Sequence, residues 1–231
     1  MFHPEQAPAQ VTTRYLAWGT FFGTVNFSDH WTATLDLQAR YEYTDGDWNT
    51  LIVRPGISYV TTNKVIFTAG VGYFSLYPNP NGKPPRPEWR PWQEIGKKFK
   101  TKAGTFYPRL RIEQRLIREY NGDELHEDYS FHSFRARFRC DWNFPLGKTP
   151  SKGIYLAAGD ELFFALKNGC FSAFDQNRAY AGAGYRFSPA FAVQLQYLNL
   201  YLQTNSQKAE LQHIVRGGLT WEWNLKHEDA K

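Results

Sequence analysis

Residues 31–43, WTATLDLQARYEY, alternate without a slip. Trp31, Ala33, Leu35, Leu37, Ala39, Tyr41 and Tyr43 are apolar or aromatic, while Thr32, Thr34, Asp36, Gln38, Arg40 and Glu42 are polar or charged. A period of two places successive side chains on opposite faces of a β-strand, one dry and one wet. Two architectures satisfy the pattern. A soluble sandwich turns the dry face inward, whereas a membrane barrel turns it outward and lines its lumen with the charged face.

The same period returns along almost the whole chain. It marks strands at 11–23, 48–60, 63–74, 105–117, 128–142, 153–165, 174–187, 190–203 and 209–225, with 88–99, interrupted by Pro91, as a further candidate. Many run well past the ~5–6 residues of an ordinary globular strand and reach the ~9–11 that a tilted strand needs to cross a bilayer. Residues 77–87, YPNPNGKPPRP, read as a loop, because their prolines remove donors and fix φ. The expected organisation is a tail at 1–10, one β-barrel domain at 11–225 with a Pro/Gly-rich loop at 76–87, and a polar tail at 226–231.

Mean hydropathy is negative, and no apolar run approaches the ~18 residues of a membrane helix. A barrel is compatible with both facts, since half of every strand is polar. Aromatic residues make up 17% of the chain, well beyond what a core of this size needs. The net charge of +5 comes from 27 basic and 22 acidic residues, spread along the chain rather than gathered into a patch or tail. Dispersed charge of both signs argues against a nucleic-acid partner. Cys140 and Cys170 have no metal-ligand spacing and are too few for a disulfide framework. Neither a metal nor a cofactor is expected. The start, MFHPEQAPAQ, has no basic or hydrophobic stretch, so an exported protein would be seen here in mature form.

Three features choose between the architectures. Arg109, Arg111, Arg115, Arg135, Arg137 and Arg139 fall on two consecutive strands, where like charges side by side destabilise a sheet. Counter-charges from across a closed lumen resolve this, and Glu113, Asp141, Glu161 and Glu42 are in phase to supply them. Aromatic residues gather at strand ends, with Trp31, Tyr41, Tyr43, Trp142, Trp221 and Trp223 as candidate girdle positions, as amphipathic rings suit the headgroup zone. The apolar phase also mixes small and large residues, which lipid tails tolerate better than a packed core does. The expectation is an all-β fold: a closed antiparallel transmembrane β-barrel of ten to twelve strands with a polar, charged lumen. Leu35, Leu37 and Tyr41 then become lipid contacts, and Asp36, Arg40 and Glu42 lumen residues. If both termini lie on one side of the membrane, the strand number must be even.

RPGISY (54–59), GYF (72–74), RLRIEQR (109–115), RARFR (135–139) and NRAYAGAGYRF (177–187) follow one another in this order. Together they resemble the uncharacterised outer-membrane β-barrel family called domain of unknown function 2490, found mostly in Bacteroidetes. The resemblance covers about residues 15–225. It implies an outer-membrane barrel of a Gram-negative bacterium with no assigned activity, and it brings no catalytic residues with it.

The lumen charges expected to form a network are Arg109, Arg111, Glu113, Arg115, Arg135, Arg137, Arg139, Glu161 and Arg178. Such a ladder either fills a narrow interior with ion pairs or favours anions in a pore. Trp89, Trp92, Lys97, Lys98 and Lys100 are candidate contacts for a partner protein or lipid headgroups, through charge attraction. The 76–102 region is the candidate docking surface for other outer-membrane proteins, beside the membrane lipids themselves. A lipid-modifying enzyme would need a nucleophile and a base on one face. His132 and Ser133 are sequence neighbours and so point oppositely, Ser130 shares the face of His132 two residues away, and His213 stands in an apolar phase. The expected function is therefore non-enzymatic: a structural or accessory barrel, possible as a subunit of a larger envelope assembly. A small-solute, anion-preferring channel is the first alternative and a lipid-modifying enzyme the second.

Overall fold

Alternation becomes strand throughout the computed structural model, which describes residues 10–77, 83–147, 151–167, 170–204 and 208–225. The strands are β1 (Gln10–Asn26), β2 (Trp31–Glu42), β3 (Asp47–Val60), β4 (Val65–Leu76), β5 (Arg86–Lys97), β6 (Phe99–Thr101) and β7 (Gly104–Ile117). They continue as β8 (Tyr120–Asn121), β9 (Glu124–Leu125), β10 (Ser130–Pro145), β11 (Gly153–Lys167), β12 (Cys170–Ser188), β13 (Phe191–Gln203) and β14 (Lys208–Asn224). Apart from Gln10, which opens β1, the expected tails and the middle of the proline-rich loop (78–82) lie outside the described residues. Among those residues, no helix is long and apolar enough to cross a membrane.

Eleven of these strands close into a barrel, with β6 a short extension paired to β7 and β8–β9 a separate hairpin between β7 and β10. Each barrel strand is antiparallel to its chain neighbour. With an odd number of alternating strands, the first and last must run the same way. They do: β1 and β14 pair in parallel from Gln10↔Lys208 to Asn26↔Asn224. The wall is thus not antiparallel all round, and the start of β1 and the end of β14 lie at opposite ends of the barrel. An even strand number was tied to termini on one side; the odd number goes with termini on opposite sides.

The segment interrupted by Pro91 is a full barrel strand, β5. Its ladder with β4 is continuous, whereas its ladder with β7 steps from Trp89↔Leu116 to Trp92↔Glu113. Proline lacks the N–H that would pair there. The residue's missing donor costs a local gap and no more.

The two ends of the barrel differ. At one rim β1–β2, β3–β4 and β12–β13 are joined by the short turns 27–30, 61–64 and 189–190. The opposite rim carries the long connections 77–85 and 118–129. These are called the turn rim and the loop rim below.

Burial is inverted relative to a soluble core. On the outward phase Leu195 is 63% exposed and Val215 55%, while on the inward phase Glu88 is 0% and Glu113 1% exposed. Many large apolar side chains point away from the barrel, and Glu88 and Glu113 are buried as deeply as the apolar cluster of Leu16, Trp18, Leu198, Leu200 and Ile214 inside the seam.

Candidate functional site: an arginine-lined lumen

Even-numbered residues of β1–β5, odd-numbered residues of β7, β10 and β11, and even-numbered residues of β12–β14 point inward. All nine charges of the expected network, from Arg109 to Arg178, fall on this inward phase. Their partners come from across strand boundaries. Glu113 lies within ion-pair distance of Arg54 (4.0 Å), Arg90 (3.8 Å), Arg111 (3.9 Å) and Arg137, so one carboxylate serves strands β3, β5, β7 and β10. Arg137 Nη2 also donates to Glu161 Oε1 at 2.6 Å. Glu88 receives Arg90 and Arg115, each Nε at 2.6 Å. Asp141 holds Arg109 and Arg139, and Glu94 holds Arg109 at 3.6 Å and Arg111 at 2.7 Å.

Aromatic rings fill the space between the guanidinium groups. Phe163 lies under Arg137 (4.7 Å) and Arg178 (4.4 Å), Phe74 under Arg90 (3.7 Å), and Trp92 under Arg111 (4.1 Å). A guanidinium over a ring face is attracted by the quadrupole and is screened from water by the same contact. Glycines give the rings room. A Cβ on Gly70 would stand 2.8 Å from Trp92 Cζ2, and one on Gly159 2.3 Å from Tyr180 Oη. Bulk is conserved across the lumen by pairing the largest side chains with the smallest.

Between these side chains lies a polar cavity of about 640 Å³, whose lining runs from Val60 and Ile66 at the turn rim to Thr50 and Leu76 on the loop-rim side. Its mouth is lined by Asn26, Thr32, Ser58, Asn143 and Glu222, and its floor by the arginines and Trp18.

Other candidate residues separate. Trp31, Trp142, Trp221 and Trp223 face outward near the turn rim, where Trp31 packs on Tyr59 (4.9 Å) and Trp221 on Trp223 (5.4 Å). Tyr41 and Tyr43 stand at the other end of β2, in contact with each other (5.2 Å). The girdle candidates therefore form two belts. Ten residues separate Trp31 from Tyr41, which is about 33 Å of strand and about 25 Å of height at a tilt of about 40°.

Trp89, Trp92, Lys97, Lys98 and Lys100 do not form one surface. Trp92 is 4% exposed and faces the lumen, which corrects its assignment as a contact for lipid or partner. Trp89 faces outward near the loop rim against Tyr73, while Lys97 and Lys100 lie at the opposite end of β5 and beyond. Lys98 lines the mouth of the lumen cavity over the Tyr107 ring (5.4 Å), which corrects its assignment as well. A period of two sends position 92 to the face opposite position 89.

His132 and Ser133 diverge as expected. His132 Nδ1 is 3.6 Å from Glu119 at the loop rim, Ser133 is buried on the lumen side, and Ser130 donates to the Ile117 carbonyl. His213 faces outward, its Nδ1 2.5 Å from Tyr197 Oη. On β12, Asp175 sits at a bulge that turns it to Arg135 at 2.9 Å, and Asn177 binds the outward Asp160 at 2.6 Å. Cys140 carries a free thiol.

Sequence reasoning did not single out Arg54, Glu88, Arg90, Glu94, Trp18 or Arg216 as site residues. The signal for Glu88, Arg90 and Glu94 was the alternation itself, which continues through Pro91.

A family model described as a protein of unknown function (DUF2490) matches residues 16–210. No curated protein matches the chain.

Proposed function

We propose that this chain, which belongs to the DUF2490 family of proteins of unknown function, is a non-enzymatic outer-membrane β-barrel of a Gram-negative bacterium. In this reading its interior is closed by its own ion pairs, and it serves the envelope as a structural or accessory component. The observation that carries the reading is Glu113, 1% exposed and shared by arginines from β3, β5, β7 and β10. Buried charges of this kind are tolerated only when paired, and once paired they occupy the space that an aqueous pore would need.

Membrane insertion is supported by the inverted burial and by the spacing of the two aromatic belts, which matches the ~25 Å apolar band of outer-membrane barrels. Longer connections face the outside in such barrels, so the loop rim is extracellular and the turn rim periplasmic. The non-enzymatic reading is supported by the separation of His132 from Ser133. Docking of another outer-membrane protein falls to the outer surface of 76–102, at its loop-rim end with Trp89 rather than Trp92.

Reconstitution into planar bilayers tests the closed interior. The expected result is an electrically silent membrane; a steady anion-selective conductance would replace this reading with a channel. Recovery of the protein in the inner-membrane or soluble fraction of its host would overturn the localisation.

A further inference from the structure

We propose that the floor of the lumen cavity is a binding site for a small, soluble oxyanion carrying two or more phosphate or carboxylate groups. The site rests on the reading of the lumen as a closed compartment, open at the turn rim. It is built where the parallel seam brings β14, β1 and β2 together.

Arg216, Trp18 and Arg40 are direct register partners there, Trp18↔Arg216 on one side and Trp18↔Arg40 on the other. Arg178 reaches in from β12. Its guanidinium lies 5.6 Å from the Trp18 ring centre, and that of Arg40 lies 3.8 Å away. Both arginines are therefore drawn to one ring despite their like charge.

The partners of these arginines differ from those of the rest of the lumen. Arg40 Nη2 donates to Gln38 Oε1 at 2.7 Å, Arg178 Nη2 to Gln176 Oε1 at 3.2 Å, and Arg216 Nε to Gln196 Oε1 at 2.8 Å. A glutamine oxygen orients a guanidinium and leaves its charge intact. Among the described residues neither Arg40 nor Arg216 has an ion pair. Arg178 is 3.7 Å from Glu161, which already bonds Arg137. The carboxylates Glu88, Glu94, Glu113, Asp141 and Glu161 all belong to the wall formed by β5, β7, β10 and β11. On the seam strands, Asp36 is engaged with Arg54 (3.0 Å), and Glu42 and Glu210 with Arg14.

Donors are also left over. Nε of Arg40, Arg178 and Arg54 and the indole nitrogens of Trp18 and Trp92 are buried without a hydrogen-bond partner. Trp18 is 4% exposed and Arg54 5%, and all five residues line the cavity. Unpaired buried charge is costly, and a guanidinium fork matches carboxylate and phosphate oxygens in pairs. A multivalent oxyanion supplies both the missing charge and the missing acceptors. The cavity volume of about 640 Å³ accommodates one.

The test uses the full chain folded in detergent micelles, titrated calorimetrically with pyrophosphate and with citrate at constant ionic strength, with acetate as control. Saturable uptake of pyrophosphate or citrate is expected, and which of the two is taken up fixes the phosphate or carboxylate class. R40Q and R216Q should each weaken it at least tenfold, while R86Q, outside the cavity lining and paired with Glu119 at the loop rim, leaves it unchanged. Without added anion, R40Q should unfold at a higher temperature than the parent, because it removes an uncompensated charge; a purely structural arginine would give the opposite shift. Absence of saturable uptake of both polyanions, or equal uptake by parent and R40Q, overturns the site. These measurements need no bilayer, so conductance in planar membranes would remove the closed-barrel reading and leave this result standing.

Discussion

Arg137 on β10 bonds Glu161 on β11 at 2.6 Å through Nη2 while its Nη1 reaches Glu113 on β7. One guanidinium thus ties three consecutive barrel strands from the inside. The strand ladders hold the wall, and this set of ion pairs holds the contents.

Glu113 is where the network is most dependent on a single group. E113Q keeps the shape and removes the negative charge, leaving Arg54, Arg90, Arg111 and Arg137 facing one another with less compensation. Breaking a buried pair from one side typically costs about 3–5 kcal/mol. Urea unfolding in micelles should show a loss of that order, and a loss below about 0.5 kcal/mol, the scale of a neutral surface change, would mean the network does not hold the interior.

Glycine placement gives a second, purely steric expectation. A Cβ on Gly70 would sit 2.2 Å from the Pro55 carbonyl oxygen and 2.8 Å from Trp92, whereas one on Gly217 meets nothing within 4 Å. Overpacking of this kind costs about 1–3 kcal/mol. G70A should lower the midpoint of thermal unfolding and G217A should leave it nearly unchanged; equal behaviour of the two would contradict the seating of Trp92 against β3 and β4.

Much of this was legible in the chain because a two-residue period records which face is charged. Arg109, Arg111 and Glu113 alternate with Leu110 and Ile112, so their common side of the wall follows from spacing alone. Trp92 was misassigned because composition near 89–102, basic and aromatic, suggested a surface patch, while phase places it inside. The first strand hid its register: Leu16, Trp18 and Phe22 share the lumen side with threonines, so no polar contrast marked the face. That is also why the arginine site at the seam was invisible. Arg40, Trp18 and Arg216 lie far apart in sequence and meet only through the parallel closure, which local periodicity does not encode.

Leu37 faces outward in the middle of β2, between Phe21 and Val53 on the flanking strands. An arginine at the midplane of a membrane barrel costs about 2–4 kcal/mol, while an exposed substitution in a soluble protein stays within about 0.5 kcal/mol. L37R measured in lipid vesicles should show the larger loss. A change within the smaller range would place this face in water.

Asp160 is the reverse case. It is exposed on the outward phase of β11, with Asn177 as its hydrogen-bond partner. In hydrocarbon an acidic side chain is destabilising by less than a basic one, so the double variant D160L/N177L should gain about 1 kcal/mol in vesicles. A loss instead would indicate that this pair is covered by something other than lipid.

The tryptophans report depth and side together. Trp142 and Trp221 face outward near the turn rim, while Trp18 and Trp92 are enclosed by arginines in the lumen. Bromine on an acyl chain quenches indoles only on close approach. In variants that keep one tryptophan and carry phenylalanine at the other positions, lipids brominated near the headgroup should quench Trp142 and Trp221 strongly. Trp92 should remain bright in the same vesicles, because Arg111 covers its ring inside the lumen and the wall, with the β3–β4 glycines beneath the ring, separates it from lipid. Strong quenching of Trp92, or none at Trp142 and Trp221, would reverse the assignment of inside and outside on which the closed lumen depends.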